Sequence, residues 1–111
     1  MISTHVLDTS VGLPAPKVGV SLERRADTVW TPVHVATTDA DGRVRELLPA
    51  GATLERGVYR LHFDTGAYFK SRGVSAFHPT VIVEFEVTDH TQHHHVPLLL
   101  TPFGYSTYRG S

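Results

Sequence analysis

Short apolar runs with a period of two, separated by turn residues about every ten positions, constrain this chain more than any other sequence feature. In the clearest run, Thr80 to Val87, every second residue is apolar from Val81 onward. Because successive side chains of a strand point to opposite faces, this period predicts strands. The predicted strands cover residues 3–7, 17–24, 29–38, 43–47, 58–64, 80–87, 93–100 and 105–109. Seven or eight short strands of this kind predict an all-β, antiparallel sandwich.

Two local signals refine this prediction. Asp41-Gly42 between two β-rich runs predicts a hairpin turn, because both residue types tolerate a positive φ. Residues 64–73 predict the only helix, capped by Asp64 or Thr65 and ended by Gly73 in a left-handed conformation.

The segment from His93 to Ser111 is apolar and aromatic almost to its last residue, which is unusual for a chain end. We therefore expect it to form a strand pair fixed to the fold. Alternation divides residues 93–100 into two faces. The expected core face holds His94, Val96, Leu98 and Leu100, and the other face holds His93, His95, Pro97 and Leu99. Apolar residues on this second face predict a surface that another subunit covers.

Length and composition limit the possible functions. The 111 residues fit one domain, residues 1–111, and the absence of cysteine excludes disulfides and zinc–thiolate sites. Ten basic residues are scattered among eleven acidic ones, so no basic stripe predicts binding to nucleic acid or a membrane surface. The N-terminal residues lack the pattern of a signal peptide, and no apolar stretch is long enough to span a bilayer. We expect a cytoplasmic protein.

Residue patterns alone leave the chemistry open. His93 and His95 share a strand face, but no further ligands complete a metal site, so we expect no metal. The loop around Asp41 lacks the spacing of a calcium loop, and no nucleophile signature occurs. A dispersed set of candidate site residues remains, and each of these residues could also have an ordinary structural role. The set comprises His5, Arg43, His95 and the tail Tyr108, Arg109, Gly110 and Ser111.

Four segments together resemble the transthyretin-related family, and within it the 5-hydroxyisourate hydrolases. The segments are residues 3–9 (STHVLDT), 41–43 (DGR), 63–69 (FDTGAYF) and 95–100 (HVPLLL), followed by the terminal YRGS. The similarity spans the whole chain in order, and the terminal tetrapeptide is the most specific motif. One departure is His94, which stands where the family usually has tyrosine; its core-side position predicts a structural role.

The resemblance implies a transthyretin-like sandwich of about eight strands with one short helix, assembled as a homotetramer. It implies hydrolysis of 5-hydroxyisourate to 2-oxo-4-hydroxy-4-carboxy-5-ureidoimidazoline in urate degradation, without a metal or organic cofactor. It places the catalytic positions on His5, Arg43 and His95, and substrate binding on residues 108–111. Histidine suits the proton transfers, and arginine suits a developing oxyanion. The alternative is a non-enzymatic carrier of a small aromatic ligand, although transthyretin itself lacks these histidines, the arginine and the tetrapeptide.

Overall fold

A computed structural model describes all residues 1–111 and contains two sheets and one helix. The strands are β1 (Ile2–Asp8), β2 (Leu13–Pro14), β3 (Gly19–Ala26), β4 (Val29–Thr37), β5 (Arg43–Val44), β6 (Gly57–Phe63), β7 (Val81–Val87), β8 (His94–Leu100) and β9 (Tyr105–Thr107), and the helix is α1 (Thr65–Ser71). The predicted β-sandwich with one short helix is therefore confirmed. No helix is long and apolar enough to cross a bilayer.

The two sheets differ in how far apart in sequence their neighbouring strands lie. The four-stranded sheet has the order β4-β3-β6-β7, and all its pairs are antiparallel. The five-stranded sheet has the order β2-β1-β8-β9, with β5 also paired to β1. Its central pair, β1 with β8, is parallel and joins the two ends of the chain. The sequence had predicted antiparallel pairing throughout, so this pair is an exception to the prediction.

The turn at Asp41-Gly42 forms, but the predicted hairpin is wrong. Gly42 has a φ of +74°, as expected, and its N–H donates to the Asp39 carbonyl at 2.9 Å. The flanking strands, however, lie in different sheets, because β5 pairs with β1 and β4 pairs with β3. A local turn signal fixes the reversal of the chain, whereas long-range contacts select the strand that pairs with it.

The core lies between the sheets and consists of 21 buried apolar residues. The predicted core face of β8 is confirmed: His94, Val96, Leu98 and Leu100 are all at most 6% exposed. His94, in the place of the family's usual tyrosine, is buried with them and pairs its Nδ1 with the Gln92 carbonyl at 2.9 Å. The opposite face differs from the prediction, since Pro97 is already buried within the single chain.

The helix is held by its packing more than by its caps. Asp64 occupies the N-cap position without a side-chain hydrogen bond, and the Thr65 hydroxyl has no partner, so the predicted cap is wrong. Gly73 ends the helix with a φ of +70°, as predicted. The Tyr68 hydroxyl donates to Asp8 Oδ2 at 2.8 Å, which links the helix to the end of β1. Burial and this contact with the Asp8 carboxylate raise the pKa of Tyr68 to about 12.

Replacing Tyr68 with phenylalanine tests this link. Asp8 is 2% exposed, and Tyr68 is the donor to its Oδ2 atom. We expect Tyr68→Phe to lower the free energy of unfolding by about 1.5–3 kcal/mol, the range for hydrogen bonds to charged groups. Urea denaturation measures this loss, and Tyr105→Phe is the control because Tyr105 has an exposed ring. Equal stability of the two variants would show that the Asp8–Tyr68 contact contributes nothing.

Candidate active site

A cleft of about 310 Å³ on the five-stranded sheet brings together residues from both ends of the chain. Its volume is at the lower end of the range of about 300–1,000 Å³ that is typical of small-molecule sites. The side chains that carry chemistry there are Ser3, Arg43, Arg45, His93, His95 and Ser111. Three of the predicted site residues, Arg43, His95 and Ser111, therefore share one cleft.

His5 and Arg43 are neighbours because β5 pairs with β1. The register places His5 directly opposite Arg43, and the Val6 N–H donates to the Gly42 carbonyl at 2.7 Å. A side chain at Gly42 would collide with the Val6 carbonyl, so glycine is required for this close approach. The short strand β5 thus delivers the guanidinium of Arg43 to the histidines.

The two predicted catalytic histidines each keep one ring nitrogen free of hydrogen bonds within the chain. The Nε2 of His5 is 2.9 Å from the Asp41 carbonyl, and since a carbonyl only accepts, this nitrogen carries the proton. The Nδ1 of His5 is then the unprotonated atom. The Nδ1 of His95 is 2.7 Å from the Ser3 hydroxyl, which leaves its Nε2 free. Each ring therefore has a nitrogen available for a water molecule or a substrate.

The electrostatic surroundings favour the neutral form of both rings. Burial, and then the Arg43 guanidinium, lower the pKa of His5 below its ordinary value of 6.5. Burial, followed by Arg43, His93 and His5, likewise lowers the pKa of His95. Both imidazoles are consequently neutral at pH 7 and able to accept a proton. Arg43 takes part in neither of the two salt bridges of the chain, so its charge is available to a ligand.

The C-terminal tail returns to β8 and shapes the cleft. The Gly110 N–H donates to the His95 carbonyl at 2.8 Å, which continues the β8–β9 register beyond Thr107. A Cβ atom built on Gly110 would lie 2.5 Å from Cδ2 of the His95 ring and 3.3 Å from Cγ of Pro97. Pro97 is buried in this region because the tail covers it. The glycine of the tetrapeptide is thus explained by its contact with the ring of His95.

Tyr108 and Arg109 do not line this cleft. They lie along a second groove between the edges of β7 and β9, together with His94 and Thr107. The Arg109 guanidinium donates to Gln92 Oε1 at 2.8 Å. Within one chain, the structure therefore separates the four tail residues, with Ser111 in the cleft and Tyr108 and Arg109 outside it.

The sequence interpretation missed Ser3 and Arg45 as residues of the cleft, and it did not include His93 in the predicted site. The Ser3 hydroxyl lies 2.7 Å from both His95 Nδ1 and His93 Nε2, so it occupies the space between the two rings that a shared metal ion would need. The strand period does place Ser3 and His5 on one face of β1. Their proximity to His95, however, depends on the parallel β1–β8 pairing, which no local pattern indicates.

Comparisons with known proteins agree with this geometry. Residues 2–110 match the model of a family described as the HIUase/transthyretin family. The chain is 47% identical over 111 residues to the 5-hydroxyisourate hydrolase of Salmonella dublin, covering all of this chain and 81% of that protein. The solved structure of Klebsiella pneumoniae 5-hydroxyisourate hydrolase superposes with a TM-score of 0.86 at 38% identity, covering 99% and 98% of the two chains. Sea bream transthyretin in complex with thyroxine superposes with a TM-score of 0.88 at 33% identity, covering 98% and 93%.

Gly110→Ala tests how closely the tail controls the ring of His95. The added methyl group would overlap the ring, so the ring or the tail must move. We expect activity to fall at least about tenfold while the melting temperature changes little, because small misplacements of catalytic groups are costly. Gly104→Ala is the control, since a Cβ there meets nothing closer than 3.8 Å. Full activity in Gly110→Ala would show that the ring tolerates the displacement.

Proposed function

The chain belongs to the HIUase/transthyretin family, and on that basis we propose that it hydrolyses 5-hydroxyisourate to 2-oxo-4-hydroxy-4-carboxy-5-ureidoimidazoline in urate degradation. The observation that carries this proposal is a cleft in which Arg43, free of any salt bridge, lies with the neutral ring of His95, while the neutral ring of His5 is close enough to Arg43 for the guanidinium to lower its pKa. Relatives named 5-hydroxyisourate hydrolase cover the whole chain and support the same reaction.

The reaction cleaves a ring amide, and the residues of the cleft match its three requirements. Water must lose a proton as it attacks the carbonyl carbon, and a neutral imidazole of His5 or His95 accepts that proton. The carbonyl oxygen becomes negative, and the Arg43 guanidinium stabilises it with a fixed positive charge and planar donors. The leaving nitrogen then takes a proton from the histidine pair as the carbon–nitrogen bond breaks. The histidine pair takes one proton from water and gives one to the leaving nitrogen, so its protonation is unchanged at the end of the reaction.

The tail residues have different roles in this proposal. Ser111 lies in the cleft and contacts the substrate, while Gly110 allows the tail to pass against His95. Arg109 anchors the tail through Gln92, and Tyr108 lies beside it in the outer groove. We assign Tyr108 and Arg109 to substrate binding through their effect on the position of Ser111.

A carrier of a small aromatic ligand is the second candidate, because sea bream transthyretin shares this fold closely. Fold similarity alone does not separate the two functions. The carrier interpretation gives no reason for two neutral histidines close to an arginine without an ion-pair partner, whereas hydrolysis uses all three.

Single substitutions test the proposed chemistry. We expect His5→Ala, Arg43→Ala and His95→Ala each to fold normally and to lose about 10²- to 10⁴-fold in rate, the contribution of a positioned acid or base. The assay follows the ultraviolet absorbance of freshly generated 5-hydroxyisourate and subtracts its spontaneous decay in buffer. His62→Ala, on the other sheet, is the control and should retain full activity.

Two results would contradict this proposal. Wild-type protein that does not accelerate decay over buffer would remove the hydrolase function and leave the carrier. Wild-type-like turnover by one folded alanine variant would remove that residue from the mechanism.

We further propose that the chain assembles as a homotetramer and that it functions in the cytoplasm. Support for assembly comes from two adjoining segments, residues 9–13 and 101–104, that expose apolar side chains: Val11 and Leu13 are 56% and 59% exposed, and Phe103 is 75% exposed. The segments adjoin because the Thr9 N–H donates to the Leu100 carbonyl at 2.9 Å. Apolar surface of this kind usually marks an interface.

A charge on this surface tests the assembly. We expect Phe103→Glu to dissociate the oligomer into smaller folded species, because association would bury like charges against each other. Light scattering gives the mass, and circular dichroism reports the fold. Val35→Glu is the matched control, since Val35 is 72% exposed on the other sheet. A Phe103→Glu protein of unchanged mass would place the interface elsewhere.

A further inference from the structure

The Ser3 hydroxyl bridges two histidine rings, and the proposed reaction directly uses only one of them. Its Oγ lies 2.7 Å from Nδ1 of His95 and 2.7 Å from Nε2 of His93. Ser3 is 5% exposed, so protein groups and not bulk water supply its partners. The parallel register that pairs Ser3 with His95 fixes this position, and the Thr4 hydroxyl reinforces it by donating to the Val96 carbonyl at 2.6 Å.

A hydroxyl group has a single proton, and this limits the protonation of the two rings. If Ser3 donates to one nitrogen, that nitrogen is unprotonated, and the nitrogen on the other side must donate to Ser3. In the first arrangement Ser3 donates to His93, and both rings carry their proton on Nδ1. In the second arrangement Ser3 donates to His95, and both rings carry it on Nε2. The two neutral histidines therefore always share the same tautomer.

We propose that Ser3 and His93 form a proton relay that lets His95 act first as the base and then as the acid of the hydrolysis. This inference rests on the proposed function. Ser3 and His93 are positioning residues in it, because each acts on the reaction through the His95 ring.

The proton balance of the relay is closed. In the first arrangement Nε2 of His95 is unprotonated and takes a proton from the attacking water. The Nδ1 proton of His95 passes to Ser3 as the Ser3 proton passes to Nε2 of His93, which becomes an imidazolium. When Nε2 of His95 gives its proton to the leaving nitrogen, the two transfers through Ser3 run backward and restore the starting state. The hydroxyl of water ends on the carbonyl carbon and its proton on the nitrogen.

Charge explains the benefit of the relay. A proton held on His95 would place a cation close to the fixed cation of Arg43, in a half-buried position. His5 and Arg45 are the other basic side chains that face this region, and no acidic side chain lines the cleft. His93 is exposed, so water solvates its imidazolium form. The relay therefore moves the transient charge from the half-buried His95 ring to the exposed His93 ring, where water solvates it.

A spectroscopic experiment tests the relay without any substrate. Histidines labelled with ¹⁵N are observed by NMR above the pH of their titration, and the nitrogen shifts identify each tautomer. We expect His93 and His95 to share one tautomer or to exchange together. In Ser3→Ala we expect this correlation to disappear. Opposite tautomers on the two rings in the wild-type protein would overturn the relay.

Kinetics test its role in the reaction. We expect Ser3→Ala and His93→Gln each to lower kcat at least about tenfold, a part of the roughly 10²–10⁴ that acid–base catalysis contributes, with KM nearly unchanged. Glutamine keeps a hydrogen-bonding group near Ser3 but does not carry a proton through its side chain. Ser3→Thr retains the hydroxyl and should restore most of the rate. His90→Gln, an exposed histidine of the preceding turn, is the control.

The outcomes separate the relay from the proposed function. Inactive wild-type protein with correlated tautomers would refute the hydrolase function, and the hydrogen-bonded network would stand as a structural feature without a catalytic role. Active wild-type protein with fully active Ser3→Ala and His93→Gln variants would refute the relay and leave the hydrolase function intact.

Discussion

The parallel pairing of β1 with β8 is the contact on which the rest of the site depends. It runs from Ile2 opposite His94 to Asp8 opposite Leu100, and so joins the two ends of the chain over the full length of both strands. Parallel neighbours require a long crossover connection, and here almost the whole fold serves as that connection. The pair sets Ser3 beside His95 and presents His5 two residues further along the same face. Every other part of the site is added to this strand pair.

Two short segments complete the cleft from opposite sides. On one side β5 has only two residues, but its pairing with β1 brings Arg43 opposite His5. On the other side the tail passes against the His95 ring, where only glycine fits at position 110. Both segments are held by backbone hydrogen bonds to the central strands, and β5 is also fixed by Val44, which is buried in the core. The precision of the site therefore comes from sheet register, which tolerates little displacement.

The electrostatic character of the cleft follows from the same arrangement. Burial lowers the pKa of His5 and His95, and the Arg43 guanidinium lowers both further, so one residue keeps the bases neutral and also provides the positive charge for an oxyanion. A protonated histidine would be repelled by that charge. In the proposed relay the Ser3 hydroxyl, 2.7 Å from a nitrogen of each ring, passes that proton from His95 to the exposed His93.

The fold class, most strand positions and three of the residues that line the cleft, Arg43, His95 and Ser111, were predictable from the sequence. Alternation of apolar residues fixed the inner face of β8, and Gly42 and Gly73 marked their turns, because these are local effects of side-chain direction and backbone sterics. The tertiary structure alone decided that β5 leaves β4 to pair with β1, that β1 runs parallel to β8, and that the tail buries Pro97. It also decided which tail residues reach the cleft and that Ser3 bridges His93 and His95. The contacts of Ser3 join residues 90 and 92 positions apart, and the β1–β5 pairing joins Thr4 to Val44 and His5 to Arg43; a linear pattern has no signal for such distant partners.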